Sequence, residues 1–232
     1  EYLAAKQALQ DGLPAVAALK ATRLMEAAEA GSIGRLTLAS LAVESWVRAR
    51  DGSAALKILE KEKVPNANFW QAQAKVLAGD LEAAEKLLIN RVRVNEATSQ
   101  ERLLLAQVSL SIGNTTQARQ VLETLRTAPD AEISHRARLM WDEVELRTGN
   151  MAPAVADLAA PENARDVSAR LLRAQGLVDL DRQPEAQALL RDILSSTGGG
   201  ERVHHAASVL LADSLLRQGG RVQAVEVLVQ FL

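Results

Sequence analysis

The chain contains no cysteine, and this absence excludes disulfides, thiolate metal sites and a cysteine nucleophile. Aromatic residues make up only 3% of the 232 residues, fewer than a β-sandwich or β-barrel usually requires. No stretch approaches the roughly 18 consecutive apolar residues of a membrane span, so direct membrane insertion is not expected. The 27 basic and 29 acidic residues leave a net charge of −2, which gives no field to attract nucleic acid.

Alanine, in contrast, is abundant. It occurs 41 times, and it has the highest helix propensity of all residues. Hydrophobic residues make up 48% of the chain, which is enough to build a core and well above a disordered composition. The composition therefore predicts an all-α protein.

A short pattern recurs along the chain, in which a glycine is followed five residues later by an alanine. A leucine follows after four more residues, as in Gly79, Ala84 and Leu88. Extended to the whole chain, the pattern places seven such alanines, 29 to 38 residues apart and about 34.5 on average. These anchor alanines are Ala17, Ala55, Ala84, Ala118, Ala154, Ala186 and Ala224.

Each position of the pattern has a physical role in a helix–turn–helix unit. The glycine can adopt the left-handed conformation that ends the first helix, and it fills five of seven places, with Arg50 and Asp181 as exceptions. Twelve residues before the anchor stands a small residue, which is alanine in five of seven units. This residue and the anchor alanine let the two helices approach closely where they cross.

These positions resemble the tetratricopeptide repeat family, and the chain fits about seven of its repeats. The aromatic residue expected nine before the anchor is present only as Trp46, and Asp142 stands where a small residue is expected. The resemblance implies a right-handed α-solenoid superhelix of stacked helix–turn–helix units, with residues 1–232 as a single solenoid. The first helices would line a concave groove. We expect a hinge at residues 195–200, which are rich in serine and glycine.

Three rows of residues on the first helices are candidates for lining that groove. The near row, eight before each anchor, is Leu9, Val47, Val76, Leu110, Leu146, Val178 and Leu216. The far row, fifteen before, is Tyr2, Ser40, Phe69, Leu103, Leu139, Leu171 and Val209. The polar row, eleven before, is Lys6, Glu44, Gln73, Gln107, Glu143, Gln175 and Asp213. An apolar floor with an amide-rich wall suits an extended apolar peptide or an amphipathic helix.

The candidate peptide-binding residues come from these rows and their neighbours. They are Phe69, Trp70, Gln73, Leu103, Gln107, Leu139, Glu143, Leu171 and Gln175. In the alternative interpretation, both apolar rows pack between adjacent first helices, because apolar stripes at helical spacing are usually core. Three acidic residues of the polar row precede an arginine by four positions, which predicts surface ion pairs. The pairs are Glu44–Arg48, Glu143–Arg147 and Asp213–Arg217.

Tetratricopeptide domains that bind the C-terminal carboxylate of chaperones use lysine, arginine and asparagine on successive first helices. The polar row offers little positive charge and no asparagine, which argues against that subclass.

The sequence also offers no candidate for a catalytic site. His204 and His205 are adjacent on a helix and point about 100° apart, so they do not form a metal pair. We interpret the acidic cluster as solvated surface; its members are Asp142, Glu143 and Glu145. We therefore predict no catalytic residue, cofactor or metal.

The sequence favours a non-catalytic scaffold that binds a protein or peptide partner within a larger assembly. An alternative is a regulatory or targeting domain of a larger enzyme, or of an outer-envelope transport or secretion protein. The chain begins without methionine and ends on an apolar helix, so we expect it to be a fragment of a longer protein. Leu228 and Phe231 at that end suggest self-association through the last helix. The lack of cysteine and of an initiator methionine leans towards a bacterial cell envelope over the cytoplasm.

Overall fold

The computed structural model describes residues 1–196 and 199–231. Within them the chain forms fourteen α-helices, a short 3₁₀ helix at Pro161–Asn163 and no strand, which confirms the all-α prediction. The helices are α1 Tyr2–Gln10, α2 Pro14–Ala27, α3 Ile33–Arg48, α4 Gly52–Leu59, α5 Ala67–Leu77, α6 Leu81–Arg93, α7 Ser99–Ser111, α8 Thr115–Leu125, α9 Ala131–Arg147, α10 Met151–Asp157, α11 Val167–Asp179, α12 Gln183–Ser195, α13 Gly200–Arg217 and α14 Arg221–Phe231. None of these helices, over its described residues, is both long and apolar enough to cross a membrane.

The helices form seven consecutive pairs, and each anchor alanine lies on the second helix of its pair. We number these pairs repeats 1 to 7, from α1–α2 to α13–α14. Every anchor alanine is at most 1% exposed, as expected for a residue at a helix crossing. The predicted frame of seven helix–turn–helix units is therefore present in the structure.

All seven turns inside the repeats have the same backbone geometry. The residue five before each anchor has a positive φ of 60° to 89°, including the two that are not glycine, Arg50 (63°) and Asp181 (60°). In every turn the next residue donates its N–H to the carbonyl five positions back, at 2.7–2.9 Å, as in Asn114 to Ser109. This is the Schellman arrangement that ends a helix, so even the two exceptions to the glycine pattern form the predicted turn.

The helices group into two compact units, Glu1–Ile133 and Ser134–Leu232. In unit 1, each helix from α1 to α8 packs against its neighbour in the chain. The first helices also contact each other in succession, α1 with α3, α3 with α5, and α5 with α7. The core around repeats 1 and 2 contains small residues at the crossings, among them Ala5, Ala17, Val43 and Ala55, each 0% exposed.

In unit 2, consecutive helices from α10 to α14 pack against each other, and α11 also contacts α13. Its core combines the small crossing residues Ala174 and Ala186 with larger buried side chains such as Leu177, Leu190 and Ile193. The proposed hinge at residues 195–200 falls in this unit between α12 and α13. Residues 197 and 198 of that segment lie outside the described residues.

Candidate functional site

The near row lies mostly in packing. Four of its members are buried, two are half-buried, and one is exposed. The buried members are Leu9, Leu110, Leu146 and Val178. Leu216 of repeat 7 differs from the others, because 51% of its surface is exposed.

The far row is more varied. Leu103 is only 3% exposed, and Leu139 and Leu171 pack half-buried against the core of unit 2. Tyr2 and Val209, at the first and last repeats, are exposed. All three leucine candidates thus lie in or against packed cores.

The two aromatic candidates of repeat 3 contact each other but lie in different surroundings. The rings of Phe69 and Trp70 meet edge to face, with centroids 5.3 Å apart and planes at 65°. Trp70 packs against the core of unit 1. Phe69 instead lines a cavity of about 290 Å³ between the start of α5 and the segment that leads into α7. That cavity is otherwise polar, and its other lining residues are Asn66, Asn68, Arg91, Thr98, Gln100 and Glu101.

In the polar row, some side chains form hydrogen bonds or ion pairs with other described residues and some do not. Glu143 accepts from Arg147 at 2.5 Å, and Gln175 donates to an oxygen of Asp179 at 3.0 Å. Neither Gln73, half-buried, nor Gln107, exposed, has a side-chain hydrogen bond to another described residue. The three predicted ion pairs all form: besides Glu143–Arg147, Glu44–Arg48 is 2.7 Å and Asp213–Arg217 is 2.9 Å.

All three rows meet in one open cavity between α1 and α3, in repeats 1 and 2. Its volume is about 360 Å³. The far row contributes Tyr2 and Ser40, the polar row Lys6 and Glu44, and the near row Leu9. Gln10, Thr37, Leu41 and Arg48 complete the lining. This cavity is the candidate functional site.

Contacts near both ends of α3, which forms one wall of the cavity, hold this helix against α2. Ser32 caps the helix, since its Oγ accepts the N–H of Arg35 at 3.1 Å. Arg35 donates to the carbonyls of Met25 and Ala28 at the end of α2 and to Glu62. Further along α3, the indole N–H of Trp46 donates to Thr22 on α2 at 3.1 Å. These bonds hold one wall of the cavity in place.

Ser40, which lines the cavity, is the one small residue in the far row. At the same position the other repeats carry leucine, valine or an aromatic side chain. Sequence reasoning selected candidates from repeat 3 onwards and missed repeats 1 and 2. The small residue among large ones was the signal that could have identified the site.

The cavity offers both hydrogen-bond donors and acceptors. The ammonium of Lys6 forms no salt bridge with any described residue, whereas Arg48 is paired with Glu44. The hydroxyls of Thr37 and Ser40 donate to carbonyls of their own helix, each at 2.9 Å. Their oxygen lone pairs therefore remain free to accept from a ligand.

The interpretation of the acidic cluster as solvated surface was wrong for two of its three members. Asp142 and Glu145 are each only 6% exposed. Glu145 accepts from the side-chain amide of Asn150 in the turn of repeat 5, and Glu143 pairs with Arg147. Asp142 and Glu145 are three residues apart and lie on one buried side of α9, whereas Glu143 lies half-exposed. No group of three or more potential metal ligands occurs among residues 1–196 and 199–231.

Among solved structures, the chain is similar to the crystal structure of a tetratricopeptide repeat protein from Parabacteroides merdae ATCC 43184. The two superpose with a TM-score of 0.77 at 16% sequence identity, and the match covers 96% of this chain and 87% of that one. No family model and no curated protein sequence matches the chain. The chain therefore has the tetratricopeptide repeat fold that its residue pattern predicts.

Proposed function

We propose that the chain is a non-catalytic scaffold that binds an extended segment of a partner protein on the surface of its first helices. The observation that carries this proposal is the cavity between α1 and α3, in which all three predicted rows meet. The tetratricopeptide repeat fold supports a role in protein interaction. The volume of about 360 Å³ falls within the roughly 300–1,000 Å³ of ligand pockets, towards the lower end.

The lining of the cavity matches the needs of an extended peptide. Leu9 and Leu41 provide an apolar floor for one aliphatic side chain. A peptide backbone carries both N–H donors and carbonyl acceptors, so it requires both kinds of partner. Ser40 and Thr37 accept, and Lys6 donates and attracts a carbonyl or an acidic side chain. The preferred ligand is therefore an extended segment with an aliphatic residue beside an acidic one.

The same surface continues into repeats 3 and 4 of unit 1. The amides of Gln73 and Gln107, which bond to no other described side chain, are the proposed polar contacts there. An amide both donates and accepts, so it can pair with a peptide backbone without selecting for charge. Phe69, in its own cavity, is the proposed aromatic contact.

Selection of peptides from a random display library tests the proposal. The variant Ser40→Trp fills the cavity, and Ser53→Trp, the same exchange at an exposed position of α4, is its matched control. We expect selected peptides to bind the wild type and Ser53→Trp with similar affinity and to bind Ser40→Trp at least about tenfold more weakly. Equal binding to Ser40→Trp would place the peptide site elsewhere, and a library without enrichment would contradict peptide binding.

A second binding measurement tests the proposed contacts in repeats 3 and 4. The triple variant Phe69→Ala/Gln73→Ala/Gln107→Ala removes the proposed contacts there and leaves the α1–α3 cavity intact. Peptides longer than about ten residues should lose affinity for this variant, because about 3.3 Å per extended residue allows them to reach it. Unchanged affinity of such peptides would confine binding to repeats 1 and 2.

A further inference from the structure

The cavity that Phe69 lines differs in chemistry from the cavity between α1 and α3. Among the described residues that line it, Phe69 is the only apolar one, and the other six are polar or charged. The cavity lies at the junction of repeats 3 and 4, which is internal to unit 1. Its volume of about 290 Å³ is that of about ten water molecules in the liquid, which is room for one large side chain.

Two charged residues of the lining form a fixed ion pair. Arg91 near the end of α6 donates from Nε to Glu101 on α7 at 3.3 Å, and Glu101 is only 3% exposed. Glu101 also accepts the N–H of Thr98 at 2.7 Å, and Arg91 donates to Glu96 at 2.7 Å. An acidic ligand would therefore meet the carboxylate of Glu101, and a basic ligand would meet the guanidinium of Arg91. The lining favours a neutral ligand.

The buried carboxylate is specific to this junction. Glu101 stands seventeen residues before its anchor, where the other repeats that include this position carry leucine or alanine. Those residues are Leu38, Ala67, Ala137, Ala169 and Ala207. A buried ion pair adds little net stability, because the desolvation of both charges offsets their attraction. Departures from a local rule without a gain in stability are typical of functional sites.

Three amide side chains of the cavity have unused hydrogen-bonding groups. Asn66, Asn68 and Gln100 form no side-chain hydrogen bond to another described residue. Asn66 is the N-cap residue of α5, where asparagine usually bonds to the first turn, yet its side chain makes no such bond. Each amide carries two N–H donors and one carbonyl acceptor. The amides therefore suit a neutral group that both donates and accepts.

We propose that this cavity is a specificity site for a tyrosine side chain of the extended partner segment, an inference that rests on the proposed function. Phe69 belongs to the same far row as Tyr2 and Ser40, which connects the cavity with the proposed peptide surface. The tyrosine ring packs on Phe69, and its hydroxyl donates to one amide and accepts from another. Tyrosine is neutral at pH 7, so neither charge of the lining opposes it.

Other side chains use only part of this lining. Phenylalanine packs on Phe69, but it displaces water from the amides without replacing its hydrogen bonds. Glutamine pairs with the amides but offers no ring to Phe69. An aliphatic side chain leaves the amides unpaired and forms no aromatic pair. Tyrosine alone among these uses both the ring and the amides.

Titration of the isotope-labelled full chain with N-acetyl-tyrosinamide, followed by NMR, tests the site without a longer peptide. We expect saturable shifts of the side-chain amide signals of Asn66, Asn68 and Gln100. The amide of Gln120, exposed on α8 and outside the lining, should not shift. N-acetyl-phenylalaninamide should bind about three- to tenfold more weakly, because it lacks the hydroxyl. N-acetyl-glutaminamide, which lacks the ring, should also bind more weakly than the tyrosine derivative.

A double variant assigns this preference to the amides. Asn68→Leu/Gln100→Leu removes two of them and should bind the tyrosine and phenylalanine derivatives with similar affinity. The matched control is Asn90→Leu/Gln120→Leu, the same exchanges at two exposed positions that do not line the cavity. The control should keep the preference of the wild type, and thermal unfolding verifies that both variants fold. An unchanged preference in Asn68→Leu/Gln100→Leu would contradict the role of the amides.

The outcomes separate this inference from the proposed function. The tyrosine site is overturned if the three amide signals show no saturable shift, or if the phenylalanine or glutamine derivative binds the wild type as tightly as the tyrosine derivative. Either result leaves peptide binding at the α1–α3 cavity to the library selection. Conversely, the expected preference for tyrosine together with a library that shows no enrichment would support the site and contradict the proposed function.

Discussion

The imidazole Nε2 of His135 on α9 lies 3.0 Å from the carboxylate Oδ2 of Asp166, the residue that caps α11. The other carboxylate oxygen accepts the N–H groups of Ser168 at 2.8 Å and Ala169 at 3.2 Å. Partial burial raises the pKa of Asp166, but the bonds from His135 and the two N–H groups outweigh it, and the net pKa lies below 3.8. One carboxylate thus ties two helices of unit 2 together.

This contact makes unit 2 sensitive to acid. A carboxylate with a lowered pKa in the folded state stabilises the fold above its unfolded pKa, and that contribution is lost as the pH falls through the folded value. Asp166→Asn keeps a good helix cap but removes the charge, so it should lower the unfolding free energy at pH 7 by less than about 1 kcal/mol. Urea denaturation at pH 7 and pH 3 measures the effect, and the variant should lose less stability between them. An equal loss would show that the carboxylate does not contribute.

His204 should have the opposite pH dependence. Its Nδ1 lies 2.9 Å from the carbonyl of Gly200 and its Nε2 lies 2.9 Å from that of Ser196. Only the imidazolium can donate to both, so these bonds raise the pKa of His204 above 6.5. Its stabilising contribution is present below 6.5 and is lost as the pH rises through the folded value.

Two measurements check this dependence. Proton NMR titration should give a pKa for His204 above 6.5, and the unfolding free energy should fall between pH 6 and pH 8. His204→Gln should remove that part of the decrease, and the exposed neighbour provides the control His205→Gln, which should retain it. If both variants behave alike, the bridge between the two carbonyls does not stabilise the fold.

The turn of repeat 2 should be stabilised by glycine. Arg50 has a φ of 63°, a conformation that costs an ordinary residue about 1–2 kcal/mol, while glycine pays about 0.5–1 kcal/mol in chain entropy. Arg50→Gly should therefore raise the unfolding free energy by about 0.5–1 kcal/mol. Arg50→Ala, which removes the exposed side chain but keeps the strain, should not raise it. Urea denaturation compares the three proteins, and a gain for alanine equal to that for glycine would assign the effect to the side chain.

Two helical glycines should respond in opposite directions to alanine. A Cβ on Gly52 of α4 would overlap the backbone carbonyl oxygen of Ala74 on α5 and lie 2.9 Å from the backbone nitrogen of Ala78, the residue that follows α5. Gly52→Ala should therefore destabilise the chain by about 1–3 kcal/mol. Gly34 has open space around it, with Ser32 Oγ nearest at 4.0 Å. Gly34→Ala should stabilise by about 0.5 kcal/mol through helix propensity, as thermal unfolding would show. Destabilisation of both to the same degree would contradict the steric explanation.

The residue pattern was sufficient to predict the repeats, because the requirements it reflects are local. A left-handed residue must end each first helix, and Gly79 or Gly149 meets this need without strain. A helix crossing needs a small residue, and Ala84 and Ala118 are completely buried there. Arg50 and Asp181 form the same turn although they are not glycine. The hydrogen bonds of the turn impose the left-handed conformation on residues that do not favour it.

The candidate site was predicted less completely. Residues from all three rows line the cavity between α1 and α3. The chosen members from repeat 3 onwards do not share one cavity: Phe69 lines its own, and Leu103 is buried in packing. Whether the residues of a row line a cavity or are buried between helices depends on the side chains of the adjacent helix. The residue pattern of one helix does not contain that information. Ser40 of α3 and Tyr2 of α1, for example, line the same cavity only because the two helices are neighbours.

By itself, therefore, the sequence determined the number of repeats, the turns and the identity of the crossing residues, since each depends on residues close together in the chain. Only the tertiary structure decided which apolar residues are covered. Val178 and Leu216 occupy the same position of two consecutive repeats, yet Val178 is completely buried and Leu216 is half exposed. Val178 lies on α11, against which α13 of the next repeat packs, and burial is a property of the neighbour as much as of the residue.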